Sequence, residues 1–223
     1  LLDPEYLLHI ERALLSYPRC QHIYCGYYYI DAVGNRIGES PKPHLLTPVI
    51  RSGKEYAHRY LEGVIHNRHI HRCPGVTTAR TLLVDKCSYR KEAGLIADDD
   101  FFLRVGQFTD IVEISQPLAS FRQHDESATA RLESLSYRLA QDYLFQTKEY
   151  QTLPSFLADS DITLLHDQAV RFINSFFLES ILKSNLEWLE KAGHLRQEFE
   201  RLEDGYFHKR SSAGARLLWS IVG

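Results

Sequence analysis

Partway along the chain the period of its apolar residues changes, and that change dictates the architecture. From the first residue to Phe121, β-forming stretches alternate with stretches at helical spacing. Leu7, Leu8, Ile10, Ala13, Leu14 and Leu15 form a helical stripe between Pro4 and Tyr17, opened by Asp3-Pro4 as cap and first-turn pair. The aromatic run Gln21–Ile30 predicts a strand, Asp31–Asn35 a tight turn, and Arg36–Gly38 a short second strand. Prolines between Pro41 and Pro48 break regular structure, and Gly53–Val64 predicts a helix. His66–Thr78 reads as a loop running into a strand, Thr81–Cys87 as a short helix and Ser88–Glu92 as a polar loop. Asp98–Val105 reads as a helix with an acidic first turn, and Asp110–Ser115 and Pro117–Phe121 as two short strands. This alternation predicts the α/β class.

From Ser127 onward strands disappear. Ile162, Leu165, Ala169, Phe172 and Phe176 repeat at spacings of 3, 4, 3 and 4, and the pattern resumes with Ile181, Leu182, Leu186 and Leu189. Leu153-Pro154 predicts a break, and Gly193 and Gly205 predict helix ends. The expected organisation is an α/β region over 1–127 and an α-helical appendage over 128–223. Phe172, Ile173, Phe176 and Phe177 are expected in the core seam of the appendage, with a dimer or partner surface as the alternative.

Composition narrows the function classes. Among 223 residues, 26 Lys+Arg against 29 Asp+Glu give a net charge of −3, so no global attraction to nucleic acid or an anionic membrane exists. The segment Arg51–Lys91 is locally basic and could meet a diphosphate or an anionic acceptor. No apolar run approaches the ~20 residues a membrane span needs, and no signal peptide opens the chain, so a cytoplasmic location is expected. The four cysteines form no C-x-x-C pair and read as reduced thiols. The sequence contains no methionine, which predicts a fragment of a longer chain.

Three constellations could carry chemistry. In Ala97-Asp98-Asp99-Asp100-Phe101-Phe102-Leu103-Arg104, three consecutive carboxylates open an apolar helix. Their mutual repulsion must be offset by a cation or the helix N-terminus, and a carboxylate with a raised pKa would be a competent general base. The plain alternative is an exposed acidic turn that caps a helix. In Pro117–Ser127, an extended stretch would put Arg122 and His124 on one face, where they could address an anion or a metal-bound group. In Cys73–Arg80, Gly75 permits close backbone approach and Arg80 supplies a cation.

In order, Pro4-Glu5-Tyr6-Leu7, Asp31 to Gly34, Gly75 to Arg80, Asp98-Asp99-Asp100 with Arg104, and Pro117-Leu118 to His124 with Ser127 resemble the second half of the catalytic domain of the family-two inverting glycosyltransferases of GT-A fold. The resemblance covers about residues 1–127. It implies a GT-A-like mixed sheet with helices. It further implies that Asp98 deprotonates an acceptor hydroxyl attacking the anomeric carbon of a nucleotide sugar, with Gly75, Arg80, Asp99, Asp100 and Arg122 toward the substrates. A divalent cation, Mg²⁺ or Mn²⁺, would neutralise the diphosphate, with His124 as a ligand. The family's glutamate before the aspartate is Ala97 here, which leaves the base open between Asp98 and Asp99. The implied partners are a nucleotide-sugar donor and a saccharide, lipid-linked or protein acceptor, as in cell-envelope polysaccharide synthesis, at the cytoplasmic side and peripheral to the inner face of the membrane. The helical appendage could mediate a homo-oligomer. By this alignment the metal-binding Asp-x-Asp and the nucleotide-binding half would precede Leu1, so this stretch by itself is expected to hold the acceptor side. The rival reading is a non-catalytic α/β plus helical interaction module.

Two features are set aside. His66, His69, His71 and Cys73 lie close together, but no second ligand cluster has zinc-site spacing. Tyr27, Tyr28 and Tyr29 could stack on a sugar but are expected to be half core and half rim.

Overall fold

The computed structural model describes residues 1–40, 47–66, 68–123, 132–152 and 156–222. The chain divides into two compact units, one of residues 1–90 and 97–128, the other of residues 91–96 and 129–223. The polar loop expected over Ser88–Glu92 runs at Lys91 into a 3-10 turn, Lys91–Ile96, that belongs to the second unit.

The first unit opens with α1 (Tyr6–Ser16). The expected Asp3 cap is not the helix cap: the N-cap is Glu5, without a side-chain cap bond, and the Asp3 side chain instead accepts the Glu5 N–H at 2.9 Å in the turn before the helix. The central strand β1 (His22–Ile30) turns into β2 (Arg36–Glu39) through Asp31, whose Oδ1 accepts the backbone N–H groups of Val33, Gly34 and Asn35. A three-residue strand β3 (Val49–Arg51), which the sequence reading missed, precedes α2 (Gly53–Ile65). A 3-10 turn at Cys73–Gly75 leads into β4 (Val76–Thr78), followed by α3 (Arg80–Asp85), α4 (Ala97–Val105) and β5 (Ile111–Arg122).

These strands form an open mixed sheet. β1 and β5 run parallel at its centre. β4 and then β2 pair antiparallel along the outer edge of β1, and β3 pairs antiparallel with the start of β5. Leu2 adds an antiparallel bridge to Ala119 further along β5. The two strands expected around Pro117 are one strand. Its register jumps between Cys25/Ile114 and Gly26/Pro117, so Ser115 and Gln116 bulge out and Pro117 sits where no ladder donor is required. Gly26 allows this, because a Cβ there would lie 2.9 Å from the Ser115 carbonyl oxygen.

Both faces of the sheet are covered, as the buried run along β1 requires. On one face Tyr6, Ile10 and Ala13 of α1 pack on Ile23, Cys25, Val112 and Ile114. On the other, His22 and Tyr24 meet an aromatic block formed by Tyr56 and Tyr60 of α2, His71, and Phe101 and Phe102 of α4.

Among the described residues, the second unit holds the 3-10 turn at 91–96 and five helices: α5 (Leu135–Thr152), α6 (Asp159–Leu182), α7 (Leu186–Leu202), α8 (Tyr206–Arg210) and α9 (Ala213–Val222). Asp142 of α5 holds the 3-10 turn by accepting the Leu95 N–H at 2.8 Å. Ile173, Phe176 and Phe177 of α6 are buried within the unit, Phe172 stacks on Tyr143, and Phe177 stacks on Trp219 with centroids 3.6 Å apart. The expected continuation of the apolar pattern through Leu182 and Leu186 does not hold, since these are 85% and 76% exposed. The chain breaks there, with Ser184 at φ 51° and the Asn185 side chain accepting the Trp188 N–H to start α7. Gly193, expected at a helix end, lies inside α7, while Gly205 at φ 68° does separate α7 from α8. The Leu153-Pro154 break lies outside the described residues. Among the described residues, no helix is long and apolar enough to cross a membrane.

Candidate functional site

The three consecutive carboxylates occupy the first turn of α4 and have three different environments. Asp100 is fully buried and clamped by two arginines. Arg90 grips both of its oxygens, with Nε at 2.9 Å from Oδ2, and Arg104 places Nε 2.9 Å and Nη2 2.8 Å from Oδ2. Arg104 also donates to the Ser88 carbonyl at 2.7 Å. Asp100 thus ties the start of α4 to the loop before it, and its oxygens are committed to this fork-on-fork pairing.

Asp99 points into the aromatic block, where its Oδ1 accepts the Tyr60 hydroxyl at 2.5 Å. Burial, then the adjacent Asp98 charge, push its carboxyl up to about 7, while the Tyr60 hydrogen bond and the Arg72 cation act in the opposite direction. The wall behind it is neutral. Burial lowers His22 to about 3, and burial followed by the Arg72 charge lowers His69 to about 4. His71 stacks on Tyr60 and Tyr56, and its Nε2 lies 2.7 Å from the Tyr56 hydroxyl.

Asp98 is half-buried, and its Oδ2 accepts the Cys73 thiol at 3.3 Å. Cys73 is exposed as a residue, but desolvation of its sulfur and then the Asp98 charge push the thiol up to about 12, and it donates to Asp98. Beside them Tyr89 is 49% exposed and stacks on Phe101 with centroids 4.4 Å apart. Arg72 stacks its guanidinium 5.0 Å from the Phe121 ring and supplies the cation that faces Asp99.

The other expected residues lie elsewhere. Gly75 is buried where a Cβ would lie 3.0 Å from Cys25 Sγ and 3.4 Å from the Ala119 side chain, so its lack of a side chain serves the close packing of the 3-10 turn on β1 and β5. Arg80 is exposed at the first position of α3. Arg122, at the end of β5, donates to the backbone carbonyls of Asp31 and Ala32 and so braces the β1–β2 turn. His124 lies outside the described residues. The structure therefore gathers Asp98, Asp99 and Asp100 with Tyr60, Arg72, Cys73 and Tyr89.

Of these, Tyr60, Arg72 and Tyr89 escaped the sequence reading, which gave Cys73 no role beside the acidic turn. Alternation along His69–Cys73 is the signal that could have pointed to Arg72, since it separates that cation from the histidine face. Among the described residues, no three His, Cys, Asp or Glu side chains are placed to hold a metal ion. The described residues do not by themselves form a Mg²⁺ or Mn²⁺ site.

The acidic turn is not the exposed helix cap of the plain alternative. Asp100 is locked between two arginines, the Asp99 carboxyl is raised to about 7 by burial and the Asp98 charge, and Asp98 is half-buried with a thiol and a backbone N–H as donors. No family model and no curated protein matches the chain.

Proposed function

We propose that the first unit carries the acceptor side of an inverting glycosyltransferase site of GT-A type, with Asp98 as the general base. The reading is supported by the division of labour within the acidic turn: the half-buried Asp98 accepts the Asp99 N–H at 3.0 Å and the Cys73 thiol at 3.3 Å in place of the two arginines that commit both oxygens of Asp100, so its oxygens can meet an incoming hydroxyl. Asp98 would take the proton of the acceptor hydroxyl as that oxygen attacks the anomeric carbon. The bond from that carbon to the nucleoside diphosphate would break on the opposite face, inverting the configuration.

Asp100 would hold the start of α4 in place, and Asp99, through Tyr60, would fix the turn that presents Asp98. The exposed face of Tyr89 beside Asp98 suits stacking against an acceptor sugar ring. Arg122 and His124 remain proposed diphosphate contacts, with Mg²⁺ or Mn²⁺ at the donor.

The test is turnover of a panel of nucleotide sugars with Mn²⁺ by the protein from the parent reading frame, comparing Asp98→Asn and Asp99→Asn. Asp98→Asn is expected to lower kcat by roughly 10²–10⁴-fold, the range for loss of a general base. Full activity of that variant beside an inactive Asp99→Asn moves the base to Asp99. Absence of turnover with every donor favours the interaction module.

A further inference from the structure

The helical unit contains a cavity of about 760 Å³ bounded by α7, α8 and α9. This volume falls within the roughly 300–1,000 Å³ of small-ligand sites. Its floor is aromatic, built from the buried rings of Phe207 and Trp219, 6.1 Å apart. The guanidinium of the half-buried Arg196 lies over this floor, 4.9 Å from the Trp219 centroid and 5.5 Å from that of Phe207. Stacking holds the cation through its faces and leaves its N–H groups without an acceptor, since Arg196 makes no hydrogen bond or ion pair among the described residues.

Two further arginines line the same cavity. Arg216 of α9 is anchored by Nη1, which donates to the carbonyls of Ser211 at 2.6 Å and His208 at 3.4 Å. Arg201 stands exposed in the last turn of α7. Against the three arginines the lining holds one carboxylate, Glu200, whose Oε2 accepts the Gly205 N–H at 3.0 Å.

Elsewhere in this unit cations face carboxylates, as in Lys183–Glu179 at 2.9 Å, Lys191–Glu187 at 2.6 Å and Arg138–Asp142 at 3.3 Å. Helix-end electrostatics account for Arg201. They give no reason for Arg196 in the middle of α7, or for Arg216 on a different helix.

We propose that this cavity binds a phosphate-bearing ligand, with Arg196, Arg201 and Arg216 as its anion-binding groups. Guanidinium forks match phosphate oxygens two at a time, and a doubly charged group balances the two positive charges left when three arginines face the single carboxylate of Glu200. The site shares no residue with the acidic turn, so it stands or falls independently of the glycosyl-transfer reading. The phosphate can belong to a free metabolite or to a lipid headgroup.

The test uses the full chain in 0.15 M NaCl with EDTA, which removes divalent cations. Pyrophosphate is titrated while tryptophan fluorescence is followed, because Trp219 lies directly under Arg196. In parallel, the protein is sedimented with phosphatidylcholine vesicles with or without phosphatidic acid. The variants are Arg201→Gln, an exposed change that leaves the packing intact, and Arg196→Gln/Arg201→Gln.

Saturable pyrophosphate binding weakened at least tenfold by Arg201→Gln, and further in the double variant, supports a site for a free phosphorylated ligand. Binding only to vesicles containing phosphatidic acid, lost in the double variant, supports the same chemistry with a lipid headgroup as the source. Absence of binding in both arms, or equal binding by wild type and the double variant, overturns the proposal.

Discussion

Replacing Asp100 by Asn should destabilise the first unit while Asp98→Asn leaves it nearly unchanged, although the two positions are two residues apart. The Asp100 side chain is 0% exposed, and those of its partners Arg90 and Arg104 are 23% and 12% exposed. Removing one member of a buried ion pair costs about 3–5 kcal/mol, because the remaining charge stays desolvated. Here both guanidiniums keep some contact with water and Arg104 keeps the Ser88 carbonyl, which places the cost near the lower end, about 3 kcal/mol. With a urea m-value of about 1.5 kcal/mol/M, the midpoint should fall by roughly 2 M. Asp98 is half-buried, and its donors, the Cys73 thiol and the Asp99 N–H, carry no charge that its loss would strand, so its neutralisation should stay within about 0.5 kcal/mol.

The cysteines supply the assay. All four lie in the first unit, and Cys20, Cys25 and Cys87 are buried, so pulsed thiol labelling across a urea series reports that unit alone. Both tryptophans, Trp188 and Trp219, lie in the other unit and report it separately. A midpoint for Asp100→Asn within 0.5 M of that for Asp98→Asn would refute the structural assignment of Asp100.

Three further outcomes follow from the geometry. Because Asp99 has a folded pKa raised to about 7 from an ordinary value of 3.8, its contribution to stability is fully present below pH 3.8 and is lost as pH rises to 7; Asp99→Asn should therefore flatten the labelling-based stability profile over that window and raise stability at pH 8. Gly53→Ala should destabilise the first unit by more than about 1 kcal/mol in the same thiol assay, since a Cβ there would overlap the Gly106 backbone, with neither chain free to move aside. Phe177→Ala should cost the helical unit about 3–5 kcal/mol by removing the ring stacked on Trp219, and the loss is read from the urea midpoint of tryptophan fluorescence.

Local signals carried most of the element boundaries. The aromatic run of β1, the Asp31 turn and the acidic start of α4 all stand where the residue pattern predicts them, because each depends on neighbours a few positions away. β3 was missed since three residues hold no period, and their pairing with Ile111–Glu113 is supplied from far along the chain. Pro117 misled for the opposite reason: a residue that ends an ordinary strand is accommodated by a bulge whose room comes from Gly26 on the partner strand. Gly193 reads as a helix end, yet the packing of Ala192, Leu195 and Phe199 carries α7 through it at a cost of about 1 kcal/mol relative to Ala.

The candidate site divides along the same line. That Asp98, Asp99 and Asp100 open a helix followed by Phe101, Phe102 and Leu103 is a property of the sequence by itself, and so are the α/β character of the first part and the helical character of the second. Which carboxylate is locked between arginines, which is raised by burial and which accepts a thiol was decided only by tertiary structure. Arg90, Tyr60 and Cys73 reach the turn from 10, 39 and 25 residues away, and each changes the charge environment of one oxygen pair without leaving a trace in the local pattern. Electrostatic environment depends on distance and on excluded water, and both are properties of the folded chain.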